Sequence, residues 1–194
     1  MKRFLMTICL VVLAVSAALA QGKKSVPPPP KPAHDGPSLE VTMKFIQDKI
    51  NGIGPVSYVR YIHDNVAGKD WAFQEKAEDT KFVADTSACR ISYHFKGESD
   101  GTEAVDKDDQ FLLKDVEDIV VLPGEQAYKE ESAAAGHPSW SFRVDPPFFF
   151  LKVRKPDKRR SYIHFSDEQL ANRVAKAMVH AVELCGGGGK PEPF

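Results

Sequence analysis

Long apolar runs are scarce in this 194-residue chain; the one present is Phe4–Val15, and no later stretch is long and apolar enough for a transmembrane helix. Cysteine is scarce as well, three in all. The motifs that announce common chemistries are missing: there is no Gly-rich phosphate loop, HExxH, GxSxG or CxxC. An excess of one charge is lacking too. The chain holds 26 basic and 27 acidic residues, and losing Lys2 and Arg3 with a leader would leave it at about −3. Nucleic-acid binding usually shows as a strongly basic domain, so this balance argues against it. No internal repeat is visible, and the 42% hydrophobic content is enough for a packed core.

What is there begins with an address. Lys2 and Arg3 precede the apolar run, and Ala18-Leu19-Ala20 forms a small-x-small cleavage site before Gln21, so Met1–Ala20 reads as a secretion signal. No cysteine stands just after that site, and Cys9 lies inside the apolar run, which predicts a bacterial protein released to the periplasm or beyond rather than lipid-anchored. Residues 21–37 include VPPPPKPAHDGP. Proline lacks the ladder N–H and fixes φ, so this segment reads as an extended tether. A single domain is expected over Ser38–Cys185, with a Gly/Pro tail at 186–194.

Within that domain the apolar period is helical at both ends and alternating between. Leu39, Met43, Ile46 and Ile50 predict a first helix over Ser38–Asn51, stopped by Gly52 and Gly54-Pro55. Strands are expected at Val56–His63, Trp71–Glu78, Cys89–Lys96, Gln110–Pro123, Trp140–Asp145, Phe148–Arg154 and Arg160–Phe165. The alternation in the fourth slips between Leu113 and Val116, a sign of a bulge or break. Gly97–Asp109 reads as a polar loop and Gly124–Pro138 as an exposed connection or short helical turn. The last helix, Ser166–Cys185, has Ser166 as N-cap with Gln169 closing a capping box, and an alanine-rich apolar face from Leu170 to Cys185. The Gly186–Gly189 run ends it.

Seven strands from Val56 to Phe165 followed by that helix resemble, in architecture, the pleckstrin-homology-like class. The resemblance implies a bent, nearly closed antiparallel barrel plugged by its terminal helix, and a binding or scaffolding role. The expected fold is therefore α+β: a bent sheet or small barrel capped by the C-terminal helix, with an extra helix in front. A lipocalin-like barrel and an open sheet with both helices on one face fit the same pattern.

Few residues carry a chemical signal. His94 and His164 should lie on strands, too few for a catalytic zinc even if adjacent. His63-Asp64 are chain neighbours and so face opposite ways on a strand, and His180 flanks the last helix's apolar face. The carboxylates of Gly97–Asp109 do not follow the EF-hand spacing. Phe148-Phe149-Phe150 need cover on both faces of their strand. No catalytic group, metal site or cofactor is therefore expected. Cys89 and Cys185 should meet in one interface as a disulfide in an oxidising compartment. Lys152, Arg154, Lys155, Lys158, Arg159 and Arg160 flank a Lys155-Pro156-Asp157-Lys158 turn, and a hairpin there would gather cations able to meet an anionic lipid surface or cell-wall polymer. The functional expectation is an exported, non-catalytic binding or interaction module; a carrier of an apolar ligand and an enzyme of unstated type are the alternatives.

Overall fold

A computed structural model describes residues 36–157 and 159–187. The expected signal peptide, all but the last two residues of the tether, Lys158 and most of the tail lie outside the described residues. Helix α1, Leu39–Asn51, starts where the Ser38 hydroxyl accepts from the Val41 N–H at 3.3 Å, and it buries Met43, Ile46 and Ile50. Four strands then run as a meander: β1 (Val56–Asp64), β2 (Lys69–Asp85), β3 (Arg90–Ser99) and β4 (Val105–Leu112). Strand β5 (Asp118–Pro123), helix α2 (Gly124–Ala134), strands β6 (Trp140–Asp145), β7 (Phe149–Arg154) and β8 (Arg160–Phe165), and helix α3 (Glu168–Leu184) complete the order. No helix among the described residues is long and apolar enough to cross a membrane.

All pairings are antiparallel, and they divide the strands into two sheets: β4-β3-β2-β1-β6 and β5-β7-β8. The small closed barrel held open by the sequence is thus corrected to an open two-sheet arrangement. The chain leaves the first sheet at the short 3-10 turn Leu113–Asp115, where the apolar alternation slips. Leu113 is fully buried there, and the turn lets the backbone carry it inward while β5 begins in the other sheet. The expected strand Gln110–Pro123 is accordingly two strands, bringing the count among the described residues to eight.

Two stretches expected to be irregular are regular. The acidic segment before Leu112 forms β4, whose outward Asp106 and Asp108 flank His94 of β3 while Phe111 faces the core. Charge on an edge strand is compatible with pairing because it discourages a further strand from adding. The connection after Pro123 is an eleven-residue helix, α2, that buries Gly124 and Ala127. Its apolar stripe is too thin to read as a helix because its other inward residue is a tyrosine, Tyr128. Helix α3 begins later than expected: Asp167, not Ser166, is the N-cap, accepting from Leu170 N–H at 2.7 Å. At its other end Gly186 takes φ +75° and the Gly187 N–H returns to the Val182 carbonyl at 2.8 Å.

Helix α1 docks on β2 through side-chain amides. At a register shift between Thr80 and Val83, Asn51 clamps both backbone groups of Phe82 at 2.9 Å, and Gln47 accepts from Ala84 N–H at 3.0 Å. The main core gathers Met43, Ile46, Phe82, Leu151, Phe165 and Met178 from both helices and both sheets. A second cluster, Val56, Tyr58, Leu122, Val144, Phe148 and Phe150, lies under α2. Phe148 and Phe150 thus join one cluster while Phe149 packs against the other, so the triplet is covered on both sides.

Candidate functional site: a crevice between the sheets

The cations expected at one hairpin tip are placed separately. Lys152 reaches Glu130 of α2 at 2.7 Å, and Arg160 pairs with Glu131, which also accepts from the Tyr162 hydroxyl. Arg154 lies 3.6 Å from both Glu117 and Asp118, and Arg159 pairs with Asp157 inside the turn. Lys155 is buried, its ammonium 3.5 Å from Asp109. Each of the five described cations therefore has a carboxylate partner, and Lys158 lies outside the described residues. The hydrogen bond from Lys152 holds Glu130 below its usual range. Reading Gly124–Pro138 as no more than an exposed connection or short helical turn hid the acidic partners that α2 supplies.

Cys89, in the β2–β3 turn, and Cys185, at the end of α3, lie at disulfide distance, with Sγ atoms 2.02 Å apart and Cα atoms 5.9 Å apart. The histidines scatter. His63 pairs across the β1–β2 hairpin with Asp70 at 2.8 Å, whereas Asp64 accepts from Val66 and Ala67 N–H, which holds its carboxyl low. His94 faces outward between Asp108 and Asp106, 3.0 and 3.3 Å away. His180 lies 2.9 Å from the Pro37 carbonyl. His94 and His164 lie in different sheets and do not pair. Among the described residues no three His, Cys, Asp or Glu side chains are grouped to hold a metal ion.

His164 is different because strand alternation turns it from β8 toward the first sheet, where Asp79 of β2 meets it. One Asp79 oxygen accepts both the His164 backbone N–H and its Nδ1, at 2.8 and 2.9 Å. Both residues are more than nine-tenths buried, and the other Asp79 oxygen has no hydrogen-bond partner among the described residues. Phe95 stacks on the imidazole at 5.3 Å and Phe148 lies nearly parallel at 6.2 Å. With its Nδ1 edge held by Asp79, the edge left free carries Nε2. That nitrogen has no partner among the described residues, and the ring lines a crevice of about 140 Å³.

The crevice collects further polar groups. The hydroxyls of Tyr58 (β1) and Tyr128 (α2) are 2.5 Å apart. Glu75 of β2 takes Arg60 Nε and Nη2 at 2.9 and 2.6 Å and the Ser99 hydroxyl at 3.2 Å, all on one oxygen. Arg60 itself lies over the rings of Tyr128 and Phe73, 4.9 and 5.2 Å from their centres. Burial, then the neighbouring Tyr128, pushes the Tyr58 phenol up, and burial pushes Tyr128 up to about 12. Both hydroxyls therefore keep their protons at neutral pH.

A second polar contact joins the sheets nearby. Asp109 of β4 accepts from Ser161 at 2.7 Å and Tyr93 at 3.1 Å, with Lys155 beside it. Burial works to raise Asp109, but the Ser161 hydrogen bond and the Lys155 charge outweigh it and the carboxyl lies low. Both interior carboxylates thus come from the five-stranded sheet and take partners from β8 or the turn before it. Compared with known proteins, the chain matches no family model, no curated protein and no solved structure.

Proposed function

We propose that this is an exported, non-catalytic binding module whose recognition element is the crevice between the two sheets. The observation that carries the reading is convergence: His164 Nε2, the Tyr58–Tyr128 hydroxyl pair and the Glu75 carboxylate come from three strands and helix α2 to one small opening. Polar groups fixed this way on sheet elements give a ligand orientation as well as contact.

Binding rather than turnover is supported by the state of those groups. The tyrosines stay neutral and serve as hydrogen-bonding groups, not bases. Glu75 is tied to Arg60, and among the described residues no hydroxyl or thiol nucleophile bonds to His164. An apolar carrier needs a large dry cavity, which a crevice of about 140 Å³ does not offer. The export half of the reading rests on Lys2, Arg3 and the apolar run before Gln21. The reading does not depend on the pleckstrin-homology-like resemblance, which supplies no site residue. Contact of the 152–160 hairpin with an anionic lipid or polymer is a separate proposal, and the carboxylate partners of its described cations weigh against it.

The test is a fragment screen of the folded chain by amide NMR, using small anionic, cationic and neutral polar compounds. Shifts should concentrate on Tyr58, Glu75, Ser99, Tyr128 and His164. A Ser99→Leu variant, which narrows the mouth at a half-exposed position, should suppress them. A silent screen, or shifts indifferent to that substitution, would refute the reading.

A further inference from the structure

The unpaired atoms around the crevice are mostly acceptors. Glu75 Oε1 takes three donor contacts, while Oε2 has none among the described residues. The Asp79 carboxylate can only accept, so Nδ1 of His164 carries a proton, and a neutral ring then presents Nε2 as an acceptor. One tyrosine hydroxyl donates to the other, which leaves a single O–H donor beside these acceptors. By charge, Glu75, Asp79 and the rim residue Glu103 stand against Arg60 and Lys107, leaving the surroundings negative by one. Lys76 and Glu98 also border the opening, but they alternate to the outer face of the sheet, and their charges cancel.

Aromatic rings complete the picture. Tyr128 already carries a guanidinium over its ring and Phe95 an ammonium, that of Lys107, at 6.0 Å, so the protein uses these π faces as seats for cations. A volume of about 140 Å³ holds one small head group and no more.

We propose that the crevice accepts a cationic hydrogen-bond donor, a primary ammonium or guanidinium group, with Glu75 Oε2 and His164 Nε2 as its acceptors. This rests on the reading that the crevice is the recognition site. Such a group could come from a free small amine or from a basic side chain of a peptide; the chemistry recognised is the same.

The experiment titrates the folded, oxidised chain with n-butylammonium, n-butanol and butyrate, and separately with acetyl-Gly-Lys-Gly-amide, following backbone amides. Butylammonium should shift the crevice amides saturably, about tenfold or more tighter than butanol, roughly the worth of one charge-assisted hydrogen bond. Butyrate should leave them in place. Glu75→Gln should erase most of the preference for the cation. Should that variant fail to fold, the charge selectivity of the unaltered chain decides alone. Tighter binding of the tripeptide than of butylammonium identifies a peptide side chain; equal or weaker binding identifies a free amine. Crevice shifts as strong with butanol or butyrate overturn the cationic class and leave the recognition site standing. Silence from all four probes overturns this inference, whereas the recognition site itself falls only if the wider screen is silent too.

Discussion

Replacing Asp79 is the sharpest perturbation available, because one oxygen of one side chain joins the two sheets. That oxygen accepts two hydrogen bonds from His164, at 2.8 and 2.9 Å, and the side chains are only 4% and 7% exposed. Asp79→Ala leaves two buried donors without an acceptor, each costing about 1–3 kcal/mol, which agrees with about 3–5 kcal/mol for breaking a buried pair from one side. Asp79→Asn keeps an acceptor and loses only the charge, so about 1–2 kcal/mol is expected. His164→Phe preserves the ring stacked on Phe95 but removes the Nδ1 donor, leaving the carboxylate with the backbone N–H of residue 164 alone; combined with Asp79→Ala it should cost less than the sum of the single changes by about 1–3 kcal/mol. Urea unfolding of the oxidised chain, followed by the fluorescence of Trp71 and Trp140, supplies the midpoints, and an unchanged slope licenses the comparison. A cost below about 1 kcal/mol for Asp79→Ala, or an asparagine variant no more stable than the alanine one, would mean that this oxygen does not join the sheets.

Further outcomes follow from other contacts. Denatured, unreduced protein should show no free thiol from Cys89 and Cys185; reduction should lower stability by up to about 4–5 kcal/mol, given the 96-residue separation, and two free thiols without reductant would refute the bridge. Asp109 and Glu130 have folded pKa values below their unfolded ones, so the stability they add is complete above about pH 5 and fades as pH falls through the folded values. Urea midpoints between pH 7 and pH 3 should therefore drop on the acid side, and drop less steeply in Asp109→Asn. Gly187→Ala would place a Cβ 2.7 Å from the Leu113 carbonyl oxygen, a backbone atom that cannot swing away, so a loss of about 1–3 kcal/mol is expected in thermal unfolding.

The fold was legible where one periodicity ruled. Met43, Ile46 and Ile50 mark α1 by helical spacing alone, and Trp140–Asp145 and Arg160–Phe165 match the structure at both ends. The errors share a cause: the interior here is partly polar. Strand β4 turns Asp109 inward to meet Ser161 and Lys155, so it does not alternate apolar with polar. Helix α2 puts Tyr128 where a leucine would have announced a stripe. Partition into two sheets depends on the turn at Leu113–Asp115, and the sequence shows only that the alternation slips there, not which sheet receives the next strand.

The site was harder to see for a geometric reason that also explains its chemistry. Asp79 and His164 are 85 residues apart, and Tyr58 and Tyr128 are 70 apart. No local spacing links either pair; the facing of two sheets brings the first together, and the docking of α2 the second. His164 lies on the face opposite Ile163 and Phe165, in line with Tyr162 and Arg160, so alternation alone reads it as an outward residue of β8; that face is nonetheless covered and His164 is buried. Burying such a residue costs several kcal/mol unless a partner is found, so an acceptor had to lie opposite. Asp79 supplies it through one oxygen and leaves the other unbonded. Packing alone would be served as well by two apolar residues there. Among the described residues, then, the interior keeps a histidine with its outer nitrogen unbonded beside two protonated tyrosines and a half-bonded glutamate, and the proposed binding role is the reading that gives those unused positions a purpose.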